Sequence, residues 1–392
     1  MKVVQINILK DIRSTGRTTI ELHNYLLKCG IDSYIAYGIG KKSCDARFYK
    51  ISNKFDYFFH NLAAFITKKE GYFSYFSTKR LIKWLSKIQP DVVHLRNIHE
   101  SFLNLKLLFS YLSKKKIRVV ITTHDFWFMT PTCSCVLCNY KPLICEHCDN
   151  CSSVFFNSKK YFLKKKKMID SLETLYIQCN SFFSESIVNR SFLSNKPHGV
   201  IYNWIDFNKF YPEIDKSVFG CEFNKPIVLC VWSLLDPNLE RFKFFVKIAN
   251  ILYKEYEFVM VGKYDFDVSQ FPNIHFIQSV SINELRKIYS SANVLFNPST
   301  ADSFGKVVAE CLSCGTPALV FDNQALPELV GENGLCGFAV EPFNVDMTIE
   351  YLHKIISNGK EYYEKNCVDR SHRLFDYNNN CAMLLNIYEG NF

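Results

Sequence analysis

Short apolar runs alternate with helix-length amphipathic stretches along most of the 392-residue chain. Runs typical of buried strands occupy residues 3–8, 33–37, 91–95, 118–123, 175–183, 227–232, 257–261, 275–278, 294–296 and 318–321. Alternation of strands with helices predicts parallel α/β sheets, and a chain of this length can bury two separate cores. Residues 212–226 are polar and show little helical or strand periodicity. We therefore expect two α/β domains, with a boundary there.

Residues 294–321 form the clearest β-loop-α-loop-β pattern. A strand is followed by a polar turn, a helix from about Ser303 to Ser313, and a second strand. The free N–H groups at the start of such a helix favour an anion, and Gly305 permits close approach of a ligand. Asp302 and Glu310 bracket this position, and their carboxylates are suitable acceptors for sugar hydroxyls. The pattern predicts a ligand with a phosphate in its middle and a sugar at each end.

Two apolar strands of the first half end in polar side chains. Arg96, Asn97 and His99 follow one strand, and His124 and Asp125 follow the next. Ligands of open parallel sheets bind beyond the carboxyl ends of the strands, so we expect these side chains to face a cleft.

The first strand of the chain leads into Ser14-Thr15-Gly16-Arg17. This stretch predicts a polar loop at a helix N-terminus, where Gly16 and Arg17 could contact an anion. Ordinary turn chemistry explains the same residues equally well.

The net charge of +9 is concentrated in the first half of the chain. Residues 1–200 contain 31 Lys and Arg against 14 Asp and Glu, a balance of +17, whereas the remainder carries −8. Such asymmetry predicts a basic surface. Solubility alone, an anionic membrane or phosphorylated acceptor, and nucleic acid are the three interpretations. Nucleic acid is not expected, because no base-stacking aromatics are interleaved with the lysines.

No apolar run reaches the roughly 18 residues of a membrane span. The N-terminal sequence MKVVQINILK does not resemble a signal peptide, because Gln5 and Asn7 interrupt its apolar run. We therefore expect a cytoplasmic protein that could associate peripherally with the cytoplasmic face of a membrane.

Six cysteines occur within 19 residues, at positions Cys133, Cys135, Cys138, Cys145, Cys148 and Cys151. Two Cys-x2-Cys pairs can each chelate through a tight turn, and four thiolates complete a tetrahedral zinc shell. We expect four of the six to bind a structural zinc, with no catalytic role because a full shell leaves no open position. Free thiols, a disulfide or an iron–sulfur cluster are the alternatives.

Two groups of residues resemble signatures of the retaining GT-B glycosyltransferases of family 4, the glycosyl transferases group 1. One is Asp302, seven residues, Glu310 and then Cys314-Gly315-Thr316-Pro317; the other is Thr123-His124-Asp125-x-Trp127. Relatives often carry four cysteines after the second motif, as in polysaccharide-biosynthesis members. The family usually has Glu where this chain has Asp302.

The resemblance implies two Rossmann-like domains facing across a cleft. Residues 1–211 would bind the acceptor and include the Cys-rich loop 133–151. Residues 212–372 would bind the nucleotide-sugar donor, and a helix in 373–392 would pack back toward the first domain. We assign donor-side and catalytic roles to Asp302, Ser303, Phe304, Gly305, Lys306 and Glu310, and acceptor-side roles to Gly16, Arg17, Asn97, His99, His124 and Asp125, of which His99 and His124 are also candidate catalytic residues.

One departure from the family is serious. Relatives hold the donor diphosphate with an Arg-Lys pair, and the matching positions here are Asn238 and Leu239. Arg241, Lys243, Lys263 or Lys306 could supply the missing charge, since a desolvated diphosphate needs cations.

The implied activity is transfer of a sugar from a nucleotide diphosphate sugar to a hydroxyl of a glycan or lipid-linked acceptor in surface polysaccharide synthesis. The anomeric configuration is retained, and no catalytic divalent metal is required. The alternative is a non-catalytic GT-B protein that binds a glycan or partner and has lost the diphosphate grip.

Overall fold

The computed structural model describes residues 1–67, 71–99, 102–130 and 158–391, and the chain forms two compact units. The first contains residues 1–201 together with 378–392, and the second contains residues 202–377. Each unit is built on one parallel sheet flanked by helices, which confirms the predicted α/β class. The boundary that we predicted after residue 211 falls inside the second unit.

Among the described residues, the sheet of the first unit has seven strands: β1 (Lys2–Leu9), β2 (Asp32–Ile39), β3 (Phe48–Lys50), β4 (Val92–Leu95), β5 (Arg118–Thr122), β6 (Leu175–Cys179) and β7 (His198–Val200). Their order is β3-β2-β1-β4-β5-β6-β7, so the direction of winding reverses between β1 and β4. Val93, Val119 and Ile121 are fully buried within the hydrophobic core. Central strands of a parallel sheet read as apolar runs because helices cover both faces.

In the part of the first unit that the structure describes, the helices before the second unit are α1 (Arg13–Lys28), α2 (Lys54–Thr67), α3 (Tyr75–Ile88), α4 (Leu105–Lys115), α5 (Ser158–Asp170) and α6 (Phe182–Asn189). Side chains cap the starts of several of these helices: Asn53 before α2, Asn104 before α4 and Ser181 before α6. Each cap accepts a backbone N–H of the first turn that has no partner within the helix.

The second unit has a six-stranded sheet: β8 (Ile227–Leu234), β9 (Glu257–Lys263), β10 (His275–Ile277), β11 (Val294–Asn297), β12 (Ala318–Phe321) and β13 (Gly337–Val340). Its helices are α7 (Glu240–Leu252), α8 (Ile282–Ser291), α9 (Lys306–Ser313), α10 (Leu326–Val330), α11 (Val345–Asn358) and α12 (Lys360–Phe375). The strand order β10-β9-β8-β11-β12-β13 reverses between β8 and β11. Across the described ranges, no helix is both long enough and apolar enough to cross a bilayer.

The last helix, α13 (Tyr377–Glu389), returns the chain to the first unit. The Tyr388 hydroxyl lies 2.6 Å from Nδ1 of His94, and Nε2 of His94 lies 2.6 Å from the Thr122 hydroxyl. Complete burial lowers the pKa of His94 well below its usual value, so the ring is neutral and can donate through one nitrogen and accept through the other. This chain of hydrogen bonds ties α13 to strands β4 and β5.

Candidate active site

The loop after β11 brings a carboxylate to the point where the second sheet reverses its winding. Asp302 lies in this loop, half-buried, and accepts a hydrogen bond from the hydroxyl of the buried Ser299. Burial raises the pKa of Asp302, whereas the Ser299 hydroxyl and the Arg241 guanidinium act in the opposite direction. Ligands of doubly wound sheets bind at such reversal points, beyond the carboxyl ends of the strands.

Arg241 lies on the other side of the reversal point, in the first turn of α7. Its guanidinium carbon lies 4.7 Å from the ring centroid of Trp232, a residue of β8. Nε1 of Trp232 in turn donates to Oδ1 of Asn297, at 3.3 Å, where β11 ends. Nε of Arg241 is buried and has no hydrogen-bond partner among the residues that the structure describes. The arginine is therefore oriented by stacking and retains an unused donor near Asp302.

Asn238 and Leu239, where the family resemblance leads us to expect two cations, form the turn before α7. The backbone N–H and the amide of Asn238 both donate to Oδ1 of Asp236, at 2.9 Å. Leu239 is 40% exposed and precedes α7 without a side-chain cap. Neither side chain can neutralise a phosphate.

Lys263 ends β9 and is exposed. The pairing of β8 with β9 shifts register just before it, between Val231 and Leu234. A Cβ on the adjacent Gly262 would lie 2.2 Å from the carbonyl oxygen of Trp232, so only glycine permits this close approach. Lys263 is thus presented at the same edge of the sheet as Arg241.

Gly305 shapes the N-terminus of α9. Its φ is +87°, and a Cβ there would lie 2.7 Å from methyl carbons of both Leu326 and Leu329. The carbonyl of Gly305 accepts the N–H groups of Val308 and Ala309. No acidic residue lies in the first turn, and Lys306 is its first residue. The helix end therefore combines outward N–H groups with a cation, a combination suited to a phosphate.

Replacing Gly305 with alanine is expected to lower the melting temperature, because the left-handed backbone costs about 1–2 kcal/mol and overpacking adds about 1–3 kcal/mol. Gly220→Ala is a matched control, since its φ is +71° and nothing lies within 4 Å of the added Cβ. Thermal unfolding should show a clearly larger loss for Gly305→Ala. Equal losses would show that packing against Leu326 and Leu329 is unimportant.

Glu310 lies in the second turn of α9, four residues after Lys306 and therefore on the same side of the helix. It is 5% exposed, and its Oε2 accepts a hydrogen bond from the Tyr289 hydroxyl at 3.3 Å. Burial, followed by the charge of Glu310, raises the pKa of Tyr289 well above its usual value, so Tyr289 stays protonated and donates. Tyr289 holds the carboxylate in one position.

The remaining donor-side residues, Ser303 and Phe304, lie between Asp302 and Gly305. Phe304 is 3% exposed and packs edge-on against Phe375, with ring centroids 5.4 Å apart. This packing anchors the loop that carries Asp302 to the interior of the second unit. The Phe304 ring is therefore enclosed within the second unit.

The predicted acceptor-side residues of the first unit form a hydrogen-bonded pair beside a turn. Nε2 of His99 lies 2.7 Å from Oδ2 of Asp125, and Oδ1 of Asp125 accepts the backbone N–H of Trp127 at 3.0 Å. The carboxylate thereby orients the His99 ring. His124 is oriented by Arg96 instead. Nε of Arg96 donates to Nε2 of His124 at 3.1 Å. Because Nε2 accepts this hydrogen bond, the proton of the neutral ring lies on Nδ1.

Arg96 does not face a cleft, contrary to our expectation. Its side chain is 1% exposed and donates to Oε1 of the Gln5 side chain and to the Thr18 hydroxyl, as well as to His124. A buried guanidinium needs these partners, and neighbouring strand β1 and helix α1 supply them. Arg96 is a structural residue that orients His124. Asn97, by contrast, is half-buried, and its backbone N–H donates to Asn7.

The predicted polar loop at residues 14–17 is also wrong. Helix α1 already begins at Arg13, so Gly16 and Arg17 are helical residues. Gly16 is buried, and a Cβ on it would lie 3.1 Å from the backbone nitrogen of Asp11. Arg17 is exposed. The strand-to-helix turn consists of residues 10–12 instead, with Asp11 at φ +54°.

Lys165 was not singled out from the sequence, because it lies in the run Lys164 to Lys167 that predicts a solvated basic surface. The structure buries it to 5% exposure, with Nζ donating to the carbonyls of Trp127 and Thr130. Nζ also lies 3.4 Å from the Trp127 ring centroid. One lysine of the run thus fixes the turn that carries Asp125.

The six clustered cysteines and the zinc that we predicted for them lie outside the described residues. Within the described ranges, no group of three or more His, Cys, Asp or Glu side chains is arranged to hold a metal ion. Zinc in the loop stays a prediction, which elemental analysis of protein purified without added zinc would check.

Replacing Asp302 with asparagine is expected to raise the melting temperature at pH 7 while impairing activity. Burial raises the pKa of Asp302 above 3.8, so the folded protein binds more protons than the unfolded chain between that value and the raised one. Stability therefore falls as pH rises through this window, and the ionised carboxylate is a cost at pH 7. The gain from Asp302→Asn should disappear as the pH approaches 3.8. A gain that is constant with pH would contradict this explanation.

Family models match both units. A model described as Glycosyltransferase Family 4 matches residues 15–209, and one described as Glycosyl transferases group 1 matches residues 225–358. The protein is a glycosyltransferase of the GT-B fold. The predicted fold and enzyme class are thereby confirmed, and the non-catalytic alternative is not favoured.

Similar proteins and structures are consistent with this assignment. The chain is 23% identical over 358 residues to the putative colanic acid biosynthesis glycosyl transferase WcaC of Escherichia coli K12, covering 85% of this chain and 86% of WcaC. Among solved structures, sucrose-phosphate synthase from Thermosynechococcus elongatus has a TM-score of 0.69 at 14% identity, covering 99% and 98% of the two chains. Anabaena Alr3699/HepE in complex with UDP has a TM-score of 0.68 at 13% identity, covering both chains fully. These structures show the shared fold.

Proposed function

We propose that this glycosyltransferase transfers a sugar, with retention of anomeric configuration, from a nucleotide diphosphate sugar to a hydroxyl of a glycan or lipid-linked acceptor in surface polysaccharide synthesis. The observation that carries the proposal is the juxtaposition at the β8–β11 reversal point. A stacked arginine with an unused donor, a half-buried carboxylate and a glycine-shaped helix N-terminus meet there. Similarity to WcaC, a putative colanic acid biosynthesis glycosyl transferase, and to HepE, whose structure contains UDP, supports the same substrate class and setting.

The second unit offers a group for each part of the donor. Glu310, held by Tyr289, accepts hydrogen bonds from the ribose hydroxyls. Arg241, Lys306 and the N–H groups at the start of α9 bind the diphosphate. Asp302 accepts from hydroxyls of the transferred sugar. Lys263 contributes a further, exposed charge at the edge of the site.

Arg241 replaces the family's Arg-Lys pair in this proposal. A guanidinium presents donors in a planar fork that fits phosphate oxygens, and stacking on Trp232 orients that fork before the donor arrives. Stacking also reduces the entropy that is lost on binding. One oriented arginine with Lys306 and the helix end can therefore neutralise a diphosphate without a divalent metal.

The reaction breaks the bond between the anomeric carbon and the diphosphate oxygen. The acceptor oxygen forms its new bond on the same face of the sugar, and its proton passes to the departing phosphate oxygen. Arg241 and the α9 N-terminus stabilise the charge that develops on the diphosphate. No protein nucleophile takes part, which is why the site needs preorganised positive charge above all.

The first unit supplies the acceptor side. Asp125 fixes the ring of His99, and Arg96 fixes the tautomer of His124. Oriented imidazoles and the Asn97 amide can hold a sugar hydroxyl in one direction, which favours attack in the correct geometry. Arg17 is exposed on α1 and is therefore available to an anionic part of the acceptor.

The test uses a panel of nucleoside diphosphate sugars whose anomeric configuration is known, in buffer with a chelator. Proton NMR of the first-formed product should show the configuration of the donor. A product of opposite configuration would contradict retention, and turnover that requires added divalent metal would contradict the role given to Arg241.

A further inference from the structure

The turn that follows β12 contacts the loop that carries Asp302. Nδ2 of Asn323 donates to the Thr300 carbonyl at 2.6 Å, and the backbone N–H of Ala325 donates to the Asp302 carbonyl at 3.3 Å. Strands β11 and β12 are parallel neighbours, so both loops leave the same edge of the sheet. The turn therefore lies directly beside the proposed donor site.

Gln324 lies between the two anchoring residues of this turn and has a strained backbone. Its φ is +53°, in the left-handed region that glycine adopts readily and that other residues rarely adopt. The N–H of Leu326 donates to the Asn323 carbonyl at 3.3 Å, which closes a turn with Gln324 at its second position. Where a turn requires a positive φ, glycine is the usual residue.

The contacts of the turn explain this conformation but not the glutamine. The anchoring hydrogen bonds come from the side chain of Asn323 and the backbone of Ala325. A glycine at position 324 would leave both in place and would relieve the strain. Strained residues persist where the surrounding structure over-determines them, and they cluster at ligand-binding sites. The turn itself therefore gives no reason for a glutamine at this position.

The side chain of Gln324 complements the carboxylate of Asp302. It is half-buried beside the Asp302 loop. An ionised carboxylate only accepts hydrogen bonds, whereas an amide donates through its nitrogen and accepts through its oxygen. The axial or equatorial arrangement of a sugar hydroxyl decides which of these groups it can meet. A site with both kinds of group can therefore distinguish hexoses that differ at one ring carbon.

We propose that Gln324 is a specificity-determining residue that hydrogen-bonds a ring hydroxyl of the transferred sugar. This inference rests on the proposed function and deepens it, because it assigns selection of the sugar to the turn after β12. Only the epimer whose hydroxyl lies toward the amide makes this hydrogen bond, and the other epimer leaves the amide without it. In the proposed function Glu310, Arg241 and the start of α9 bind the nucleotide, so nucleotide affinity does not depend on Gln324.

The experiment compares kcat/KM for donors that share a nucleotide and differ at one sugar carbon: UDP-glucose with UDP-galactose, and GDP-mannose with GDP-glucose. Gln324→Met keeps the length of the side chain and removes the amide. It should lower kcat/KM for the preferred donor by about tenfold, in line with one hydrogen bond between neutral groups, and change that of its epimer by less than about twofold. The affinity for the nucleoside diphosphate alone should not change.

Gln89 provides a matched control, because it is also a glutamine with a left-handed backbone. Its φ is +55°, and it follows the last residue of α3 in the first unit. Gln324→Gly and Gln89→Gly should both raise the melting temperature, since each relieves a strained backbone. Only Gln324→Gly should lose the preference between epimers, and Gln89→Met should show wild-type kinetics with every donor.

An unchanged donor preference in Gln324→Met, or equal losses for both epimers, would overturn the inference while wild-type turnover leaves the proposed function standing. A fall in nucleoside diphosphate affinity as large as the fall in kcat/KM would assign the effect to damage of the site and overturn the inference as well. Wild type that turns over no donor would contradict the proposed function, and this inference with it.

Discussion

Glu310→Gln is expected to weaken binding of the nucleoside diphosphate and of the corresponding free nucleoside by about the same factor. In the proposed function the carboxylate accepts ribose hydroxyls, and hydrogen bonds to a charged group contribute about 1.5–3 kcal/mol each. Glutamine keeps the shape but loses the charge and one acceptor, so a loss of about 50-fold in affinity is expected. Isothermal titration with both ligands measures the two factors.

Tyr289→Phe is the control for this substitution, because it removes the hydrogen bond to Oε2 of Glu310 and keeps the carboxylate. Its affinity should change by only about threefold, in line with a single neutral donor. A Glu310→Gln variant that binds the nucleoside as wild type does would show that Glu310 does not contact the ribose.

Arg241→Met is expected to lower the affinity for the nucleoside diphosphate by about 100-fold and to leave the affinity for the free nucleoside unchanged. Methionine preserves much of the aliphatic contact with Trp232 and removes the charge. A charge-assisted pair with phosphate in a partly desolvated site accounts for about 2–4 kcal/mol. Steady-state kinetics should show a loss of kcat/KM of at least the same size, since we propose that the same charge stabilises the departing diphosphate.

Lys243→Met is the matched control, because Lys243 lies on the same helix but is exposed and paired with Glu240 at 2.7 Å. It should bind both ligands as wild type does. If Arg241→Met binds the nucleoside diphosphate as wild type does, diphosphate binding would be assigned to Lys306 or Lys263. If the affinities for the nucleoside diphosphate and the nucleoside fall equally, the substitution has damaged the structure of the site.

The elements that the sequence predicted well are those with a local cause. The strand at residues 318–321 begins and ends at the predicted residues, because a short apolar run between a Gly-Thr-Pro turn and a polar loop has few alternatives. The helix after Asp302 begins at Lys306, three residues later than expected. Its start is set by Gly305 in the left-handed conformation, which packs against leucines of α10.

The parts of the site that the sequence did not reveal depend on tertiary contacts. Nothing near Tyr289 in the sequence indicates that its hydroxyl meets Glu310, since the two residues lie on different helices. Trp232 stacks under Arg241 only because β8 and α7 are joined by a short turn. Arg96 followed an apolar strand just as His99 did, yet the partners offered by β1 and α1 turned it inward.

The most direct test of the central claim is release of nucleoside diphosphate from a panel of nucleotide sugars, with wild type and Asp302→Asn assayed in parallel. Wild type should release nucleoside diphosphate from at least one donor and transfer the sugar to an added hydroxyl acceptor, and Asp302→Asn should be strongly impaired with that donor. A wild-type protein that binds no nucleotide sugar and releases no nucleoside diphosphate from any of them would contradict the assignment of the β8–β11 reversal point as a donor site.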